Sequence, residues 1–143
     1  MSGRKSLPHD VPHWVKDHPT FFIIICASDR KSQPLLQDDL PARLLEAIHY
    51  QHGQGFWWTH VAVIMPDHVH LLATFPVSMP ESIARRKQWT SRNCGVEWQR
   101  DFFDHRLRNE ESVREKCDYI LLNPVRAGLV ANWQKWPHYW IGE

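Results

Sequence analysis

The stretch Ile64-Met65-Pro66-Asp67-His68-Val69-His70-Leu71-Leu72 joins two apolar runs through a Pro-Asp pair. Two such runs around a turn predict a β-hairpin, with strands at about 56–65 and 68–75. Because side chains alternate between the faces of a strand, we expect His68 and His70 to point to the same face. Two neighbouring imidazoles can supply half of a metal site. The alternative that this stretch leaves open is a half-buried strand whose histidines face water.

The segments around this hairpin predict further strands and helices. Apolar runs indicate strands at 21–26 and 96–107, and helical spacing indicates helices at 39–51, 78–93 and 110–122. Ser78 and Glu81 have capping-box spacing, Asn109 suits an N-cap, and Pro124 should end the last helix because proline disfavours α geometry in the residue before it. The order strand, helix, strand, strand, helix, strand, helix predicts an α+β fold. Its nearest pattern is the ferredoxin-like antiparallel sheet with helices packed on it.

Length and composition fit one globular domain. The chain has 143 residues, 43% of them hydrophobic, which suits a single domain. We expect an extended arm at 1–20, where three prolines lie among polar residues, and one domain at 21–143. No segment has the pattern of a membrane span or a signal core, so a cytoplasmic location is expected.

Charge and cysteine content narrow the functional classes. The formal net charge of +1 does not indicate nucleic-acid binding, so any affinity for DNA must come from local patches of positive charge. The three cysteines are odd in number and far apart in the chain. This pattern favours reduced thiols over a disulfide framework or a zinc motif.

The helix predicted at 78–93 carries a candidate DNA-binding face. Arg85, Trp89 and Arg92 follow i, i+4, i+7 spacing and share one side of the helix, and Arg86 and Lys87 add positive charge. Basic side chains bind phosphates, and an exposed tryptophan can stack on unpaired bases. The alternative is a solvated helix that Trp89 anchors to the domain.

A second reactive pattern lies at the end of the last predicted helix. Tyr119 and Asn123 are four residues apart and so lie on one helix face. A phenol, an amide oxygen and the two imidazoles could converge on one metal-bound phosphate. The alternatives are a buried tyrosine with a satisfied hydroxyl, and an asparagine that only terminates the helix.

Together, the two patterns resemble a known family. Residues 65–72 match the His-hydrophobe-His (HUH) motif of small single-strand DNA transposases. Residues 119–130 look like the tyrosine motif of their REP-associated branch, the REP-associated tyrosine transposases. The resemblance runs from about residue 21 to residue 140, and both motifs in this order are more specific than either alone.

The resemblance implies an HUH endonuclease fold and a metal-dependent transposase. Such an enzyme cleaves and rejoins single-stranded DNA beside hairpins, here repeated extragenic palindromes (REP). By resemblance, Tyr119 is the nucleophile that forms a 5′-phosphotyrosine, and His68, His70 and Asn123 are ligands of Mg²⁺ or Mn²⁺. Arg126, inside the tyrosine motif, joins the candidate DNA-binding residues. Related enzymes include dimers that share active sites and monomers that do not, and we favour a homodimer.

Two further residues extend this interpretation. Asp67 stands where many members of the family carry Asn. It either shapes the turn or orients a histidine through a hydrogen bond, and we favour the turn. Lys116 lies one helical turn before Tyr119 and could help the phenol to lose its proton.

Three other functions compete with a transposase. Histidine-triad nucleotide hydrolases carry a third histidine on the next alternate residue, where this chain has Leu72. A domesticated, sequence-specific DNA-hairpin-binding protein without cleavage activity would keep the fold, but every predicted catalytic residue is present. The tyrosine motif disfavours a structural domain that binds metal adventitiously.

Overall fold

Five strands form one antiparallel sheet, and helices pack on both of its faces. The computed structural model describes residues 11–108 and 110–142, without the side chains of residues 110–112. The strands are β1 (Thr20–Cys26), β2 (Trp58–Ile64), β3 (His68–Thr74), β4 (Phe103–Arg106) and β5 (Tyr139–Ile141). The helices are α1 (Leu40–Gly53), α2 (Met79–Cys94), α3 (Glu110–Leu121) and α4 (Asn123–Arg126). The strand order is β4-β1-β3-β2-β5, so the predicted α+β class with a ferredoxin-like antiparallel sheet is confirmed.

Each face of the sheet has its own hydrophobic core. Leu71 of β3 packs in a core with Leu44 of α1 and Ile83 of α2. Leu72 packs in a second core, which Ile120 of α3 completes. Because side chains alternate along a strand, His68 and His70 lie on the same face as Leu72. Both histidines therefore face the side of the sheet that α3 covers.

The predicted hairpin is confirmed, and its second strand lies inside the sheet. β3 pairs with β1 on one side and with β2 on the other, so that His70 lies opposite both Ile24 and Val63. The turn is closed by a hydrogen bond of 2.8 Å from the N–H of Met65 to the carbonyl of His68. A strand that is paired on both sides holds its side chains rigidly, which suits a site that needs fixed geometry.

The strand predicted at 96–107 is wrong for most of its length. Only Phe103–Arg106 is a strand, and Trp98 makes one isolated bridge. The physical reason lies in Lys87 of α2, whose ammonium group donates to the carbonyls of Gln99 at 2.8 Å and Arg100 at 2.9 Å. Those carbonyls face a helix and do not extend the ladder of a neighbouring strand.

α3 ends at Leu121, close to the predicted end at residue 122, but Pro124 does not end the helical path. Leu122, between α3 and α4, has right-handed helical torsion angles (φ −84°, ψ −2°), and Pro124 lies in the first turn of α4. Proline is tolerated there because N–H groups of the first turn have no acceptor within the helix. The N–H of Arg126 donates to the carbonyl of Leu122 at 3.0 Å. The chain therefore remains helical as far as Arg126.

The predictions for the two ends of the domain met different outcomes. Of the arm expected at 1–20, residues 1–10 lie outside the described residues, and His13–Asp17 form a 3-10 helix. The candidate N-cap Asn109 also lies outside the described residues. In the tail, Trp136 is buried and its indole N–H donates to the carbonyl of Ile64 at 3.1 Å. Trp136 thus packs the tail against the domain, and β5 is a strand that the sequence patterns do not predict.

The helix start predicted at Ser78 is confirmed. Ser78 caps α2 by accepting the N–H of Glu81, and the three cysteines are free thiols. Within residues 11–108 and 110–142, no helix combines the length and the apolar character that crossing a bilayer requires.

Candidate active site

His68 and His70 lie side by side at the start of β3. Their Nε2 atoms are 3.1 Å apart and their ring centroids 4.7 Å apart. If both nitrogens bound one cation at about 2.1 Å, this separation would set an angle of roughly 95° at the ion, close to the right angle of octahedral coordination. The imidazole pair therefore fits a small divalent cation.

The carboxylate of Asp67 orients the imidazole of His68 by a hydrogen bond at Nδ1, the nitrogen that faces away from His70. Its Oδ1 lies 2.6 Å from Nδ1 of His68, and its Oδ2 accepts from Nε of Arg30 at 2.8 Å. Because an ionised carboxylate only accepts, Nδ1 carries the proton and Nε2 presents its lone pair beside His70. Burial raises the pKa of Asp67, but hydrogen bonds from His68 and Arg30 outweigh it and hold that pKa below its ordinary value. The orienting hydrogen bond, the less favoured of the two interpretations of Asp67, is present.

His70 is buried, with 3% of its surface exposed. Burial first, and then the nearby charges of His68 and Arg126, lower the pKa of His70 to about 3. The imidazole is therefore neutral near pH 7, which is the form that binds metal ions. Its Nδ1 has no hydrogen-bond partner among the described residues. An unpaired polar atom in a packed interior is uncommon and marks a candidate functional position.

Tyr119 reaches the same place from α3. Ile120 and Cys117 form the buried side of this helix, whereas the side chain of Tyr119 is 47% exposed. The ring of Phe22 in β1 links the two parts of the site, because its centroid is 5.8 Å from that of His70 and 6.0 Å from that of Tyr119. One chain thus brings the candidate nucleophile and a candidate ligand to the same aromatic side chain. The exposure of the ring excludes the buried-tyrosine alternative.

Two cations flank the ring of Tyr119. The guanidinium carbon of Arg126 lies 3.8 Å from the ring centroid, and the ammonium nitrogen of Lys116 lies 5.7 Å from it. The same ammonium lies 5.3 Å from the ring centroid of Phe22. Cations are attracted to the negative face of an aromatic ring. Arg126 and Lys116 make the surroundings of Tyr119 positive, as binding of a phosphodiester requires.

Asn123 begins α4, one helical turn after Tyr119, and is half-buried. Its carbonyl accepts the N–H of Ala127 at 3.0 Å, so its backbone belongs to the helix and its side-chain amide carries any ligand role. Among the described side chains, those of residues 11–108 and 113–142, no group of three or more His, Cys, Asp or Glu could hold a metal ion. An ion at the histidine pair would therefore need another oxygen ligand, and Asn123 in that role stays a prediction.

The predicted DNA-binding helix lies on the other side of the sheet. Ile83 of α2 packs in the core that contains Leu71, whereas His70 points away from that core. Arg85, Trp89 and Arg92, which helical spacing placed together, are among the exposed residues of α2. They cannot touch the phosphate that Tyr119 would attack, so their predicted contacts would have to be made with a more distant part of the DNA.

Arg86 and Lys87 have contacts within the protein. The guanidinium carbon of Arg86 lies 5.1 Å from the ring centroid of Trp89, and its Nε is buried without a partner among the described residues. The ammonium group of Lys87 holds the two carbonyls after α2. DNA binding by the five candidate residues of α2 stays a prediction. Lys87 also has a structural role that the sequence does not reveal.

Phe22 and Arg30 belong to the site, but sequence reasoning misses them. Phe22 lies in an unbroken apolar run, and only the register of β1 against β3 shows which of its residues faces the histidines. Arg30 lies in a polar loop, 37 residues before its partner Asp67. No local pattern signals either contact.

Comparisons with known proteins bear on this site. No family model matches the chain. The chain is 36% identical over 81 residues to a REP-associated tyrosine transposase of Escherichia coli (strain K12), an alignment that covers 52% of this chain and 48% of that protein. A second curated relative, from Haemophilus influenzae, is 30% identical over 95 residues, which cover 52% of this chain and 53% of that protein. The chain thus spans about half the length of the curated relatives it matches.

The fold agrees with these sequence matches. A solved structure of a REP-associated tyrosine transposase bound to a REP hairpin superposes with a TM-score of 0.74 at 26% identity. That superposition covers 92% of this chain and 81% of the other. By sequence and by fold, the chain is thus similar to REP-associated tyrosine transposases.

Proposed function

We propose that this protein is a metal-dependent transposase that cleaves and rejoins single-stranded DNA beside a hairpin, through a 5′-phosphotyrosine on Tyr119. The observation that carries the proposal is the meeting of Tyr119 and the His68–His70 pair at Phe22. The nucleophile and the imidazoles come from different elements, α3 and β3. Their meeting point supplies what phosphodiester cleavage needs: a nucleophile, donors for a cation and a positive surround.

The imidazoles are the proposed cation site. His68 and His70, with Asn123 as the expected third ligand, would hold Mg²⁺ or Mn²⁺, and imidazole donors suit Mn²⁺ in particular. When bound, such an ion offsets the negative charge of a non-bridging phosphate oxygen. Asp67 supports this role because its hydrogen bond to Nδ1 of His68 directs Nε2 of that ring towards Nε2 of His70, where the cation would bind.

Tyr119 carries the covalent step. Its Oη forms a bond to phosphorus while the bond from phosphorus to the 3′ oxygen of the preceding nucleotide breaks. The phenol proton passes to solvent, which the exposed ring permits, and the departing 3′ oxygen takes a proton from solvent. The products are a phosphotyrosine on the 5′ side and a free 3′ hydroxyl. Attack by a 3′ hydroxyl on the phosphotyrosine reverses the step and rejoins a strand.

The proposed substrate is DNA that combines a hairpin with a single-stranded flank. A related structure contains a REP hairpin, and a hairpin of that type is the substrate class that we infer for this chain. Since the net charge is only +1, affinity must come from local patches. One patch is the site around Lys116 and Arg126, and the other is the exposed side of α2. A DNA that touched both would have to pass around an edge of the sheet.

We infer that one copy of the chain completes the proposed site. Tyr119 and His70 both contact Phe22 of the same chain, which favours this arrangement over a site that a homodimer shares. With purified protein and saturated DNA, the rate of cleavage should therefore rise in proportion to the protein concentration.

The proposal is tested by separating cleavage from binding. His68→Ala should abolish cleavage of a labelled hairpin in Mn²⁺ but spare most binding in a gel shift, because the imidazoles serve the chemistry while basic residues hold phosphates. His13→Ala, at an exposed position outside the site, is the matched control and should leave both unchanged. Equal loss of binding and cleavage in His68→Ala would contradict this division of roles. Tight hairpin binding by the unmodified protein without cleavage would instead support the domesticated DNA-binding alternative.

A further inference from the structure

The guanidinium group of Arg126 contacts Tyr119 in two ways. Its guanidinium carbon lies 3.8 Å from the centroid of the tyrosine ring, within stacking distance. Its Nη2 donates to the backbone carbonyl of the same tyrosine at 2.6 Å. One arginine thus binds both the ring and the backbone of the candidate nucleophile.

The helical path after α3 builds this arrangement. Arg126 follows Tyr119 by seven residues, which is about two turns of a helix, so the two share a side. The arrangement depends on Leu122 keeping helical torsion angles and on Pro124 entering the first turn of α4. If the helix ended at Leu122, Arg126 would not return to Tyr119. The contact is therefore built by local structure and is present without DNA.

Among the side chains that the structure describes, those of residues 11–108 and 113–142, Arg126 has no carboxylate partner. It differs in this from Arg30, whose charge is paired with Asp67. The charge of Arg126 is instead directed at the ring of Tyr119 and lies close enough to affect His70. An exposed tyrosine on a helix would otherwise move among rotamers, and the stacked guanidinium restricts it.

We propose that Arg126 is a positioning residue for the nucleophile: it holds the ring of Tyr119 in one orientation beside the histidines before DNA arrives. This inference rests on the proposed function, and it gives Arg126 a larger part in the cleavage step than in the affinity for DNA. A residue that only binds phosphate would set affinity. A residue that positions the nucleophile sets the rate once DNA is bound, because a misplaced nucleophile slows attack far more than it weakens binding.

Arginine and lysine are not equivalent in this role. The planar guanidinium can stack on a ring and donate sideways to a carbonyl at the same time, whereas an ammonium is a compact point charge on a flexible stem. Arg126→Lys therefore keeps the charge but removes the stacked, two-point contact. The conservative variant separates positioning from charge.

The kinetic test compares rate and affinity for Arg126→Ala and Arg126→Lys. We expect the single-turnover rate of adduct formation at saturating hairpin DNA to fall roughly 10- to 100-fold in both, with hairpin Kd within about 3-fold of the unmodified protein. Arg106→Ala, an exposed arginine on β4 outside the site, is the matched control and should change neither, and thermal melts check that each variant is folded. An unchanged rate with a weakened Kd, or full activity of Arg126→Lys, would overturn the inference.

A second readout needs neither DNA nor metal. In the free protein we expect nuclear Overhauser effects between the δ-methylene of Arg126 and the ring protons of Tyr119, and their loss in Arg126→Lys with faster averaging of the ring resonances. Absence of these effects in the folded, unmodified protein would overturn the inference even if cleavage occurs. Their presence in a protein that forms no adduct would sustain the contact while the proposed function fails.

Discussion

Replacing Asp67 tests whether the carboxylate behind His68 sets the affinity for a metal ion. Asp67→Ala removes the acceptor 2.6 Å from Nδ1 of His68 and also leaves Arg30 without its partner. Asp67→Asn removes the negative charge but keeps a carbonyl oxygen that can accept the same proton. The backbone carbonyl of Asp67, which accepts the N–H of Ala27 at 2.9 Å, is kept in both variants. The two substitutions therefore differ mainly in the strength of the hydrogen bond to the imidazole.

The structure gives the expected size of each effect. A hydrogen bond to a charged acceptor is worth about 2 kcal/mol, and its neutral counterpart about 1 kcal/mol. The Arg30 side chain is 51% exposed, so its ion pair with Asp67 adds well under about 1 kcal/mol. Asp67→Ala should thus weaken Mn²⁺ binding roughly 30-fold, and Asp67→Asn roughly 5-fold.

The assay is titration of the DNA-free protein with Mn²⁺, following the free ion by electron paramagnetic resonance at constant pH. Arg30→Ala is the control, and it should weaken binding less than about 3-fold, since an exposed ion pair contributes little. The reasoning would be refuted if Asp67→Ala bound Mn²⁺ within 2-fold of the unmodified protein. It would also be refuted if Arg30→Ala lost as much affinity as Asp67→Ala.

Three other predictions concern stability and binding. Burial lowers the pKa of His60 to about 4, so the unfolded chain takes up a proton as the pH falls below about 6.5 while the folded protein does not. The free energy of unfolding should therefore fall by about 2 kcal/mol between pH 7.5 and pH 5. In urea unfolding, His60→Gln should show a loss that is smaller by that amount. Ile120→Ala, at a fully buried position of α3, should lower the free energy of unfolding by about 3 kcal/mol. Leu122→Ala, whose native side chain is 37% exposed, should lower it by less than about 1 kcal/mol. Comparable values for the two variants in urea unfolding would contradict the assignment of the core. Arg85→Ala should weaken hairpin binding and lower the slope of log Kd against log salt by about 1, whereas an unchanged slope would remove α2 from the interface.

Local periodicity made much of the site predictable. The alternation of side chains along a strand places His68 and His70 on one face, and helical spacing separates Tyr119 from the buried Ile120. Both rules depend only on neighbours in sequence, and the structure agrees with both. The order of the first strands and helices likewise followed from apolar patterning and turn signals.

The remaining features depend on contacts between distant residues. Phe22 joins the two halves of the site only because β1 pairs with β3 in one register. Residues 96–102 alternate like a strand, but the ammonium group of Lys87 binds carbonyls in that segment. Pro124 shows a different limit, since the same residue ends a helix in one backbone context and begins a turn of helix in another. Its placement here decides whether Arg126 reaches Tyr119.

Formation of a covalent complex between DNA and Tyr119 tests the central claim most directly. The unmodified protein and Tyr119→Phe would be incubated with labelled hairpin DNA that carries single-stranded flanks, in Mn²⁺ or Mg²⁺, and separated on denaturing gels. The account predicts a shifted protein band for the unmodified protein alone, with peptide mapping placing the 5′ phosphate on Tyr119. An adduct of equal yield in Tyr119→Phe, or no adduct in the unmodified protein when hairpin DNA is bound, would contradict it.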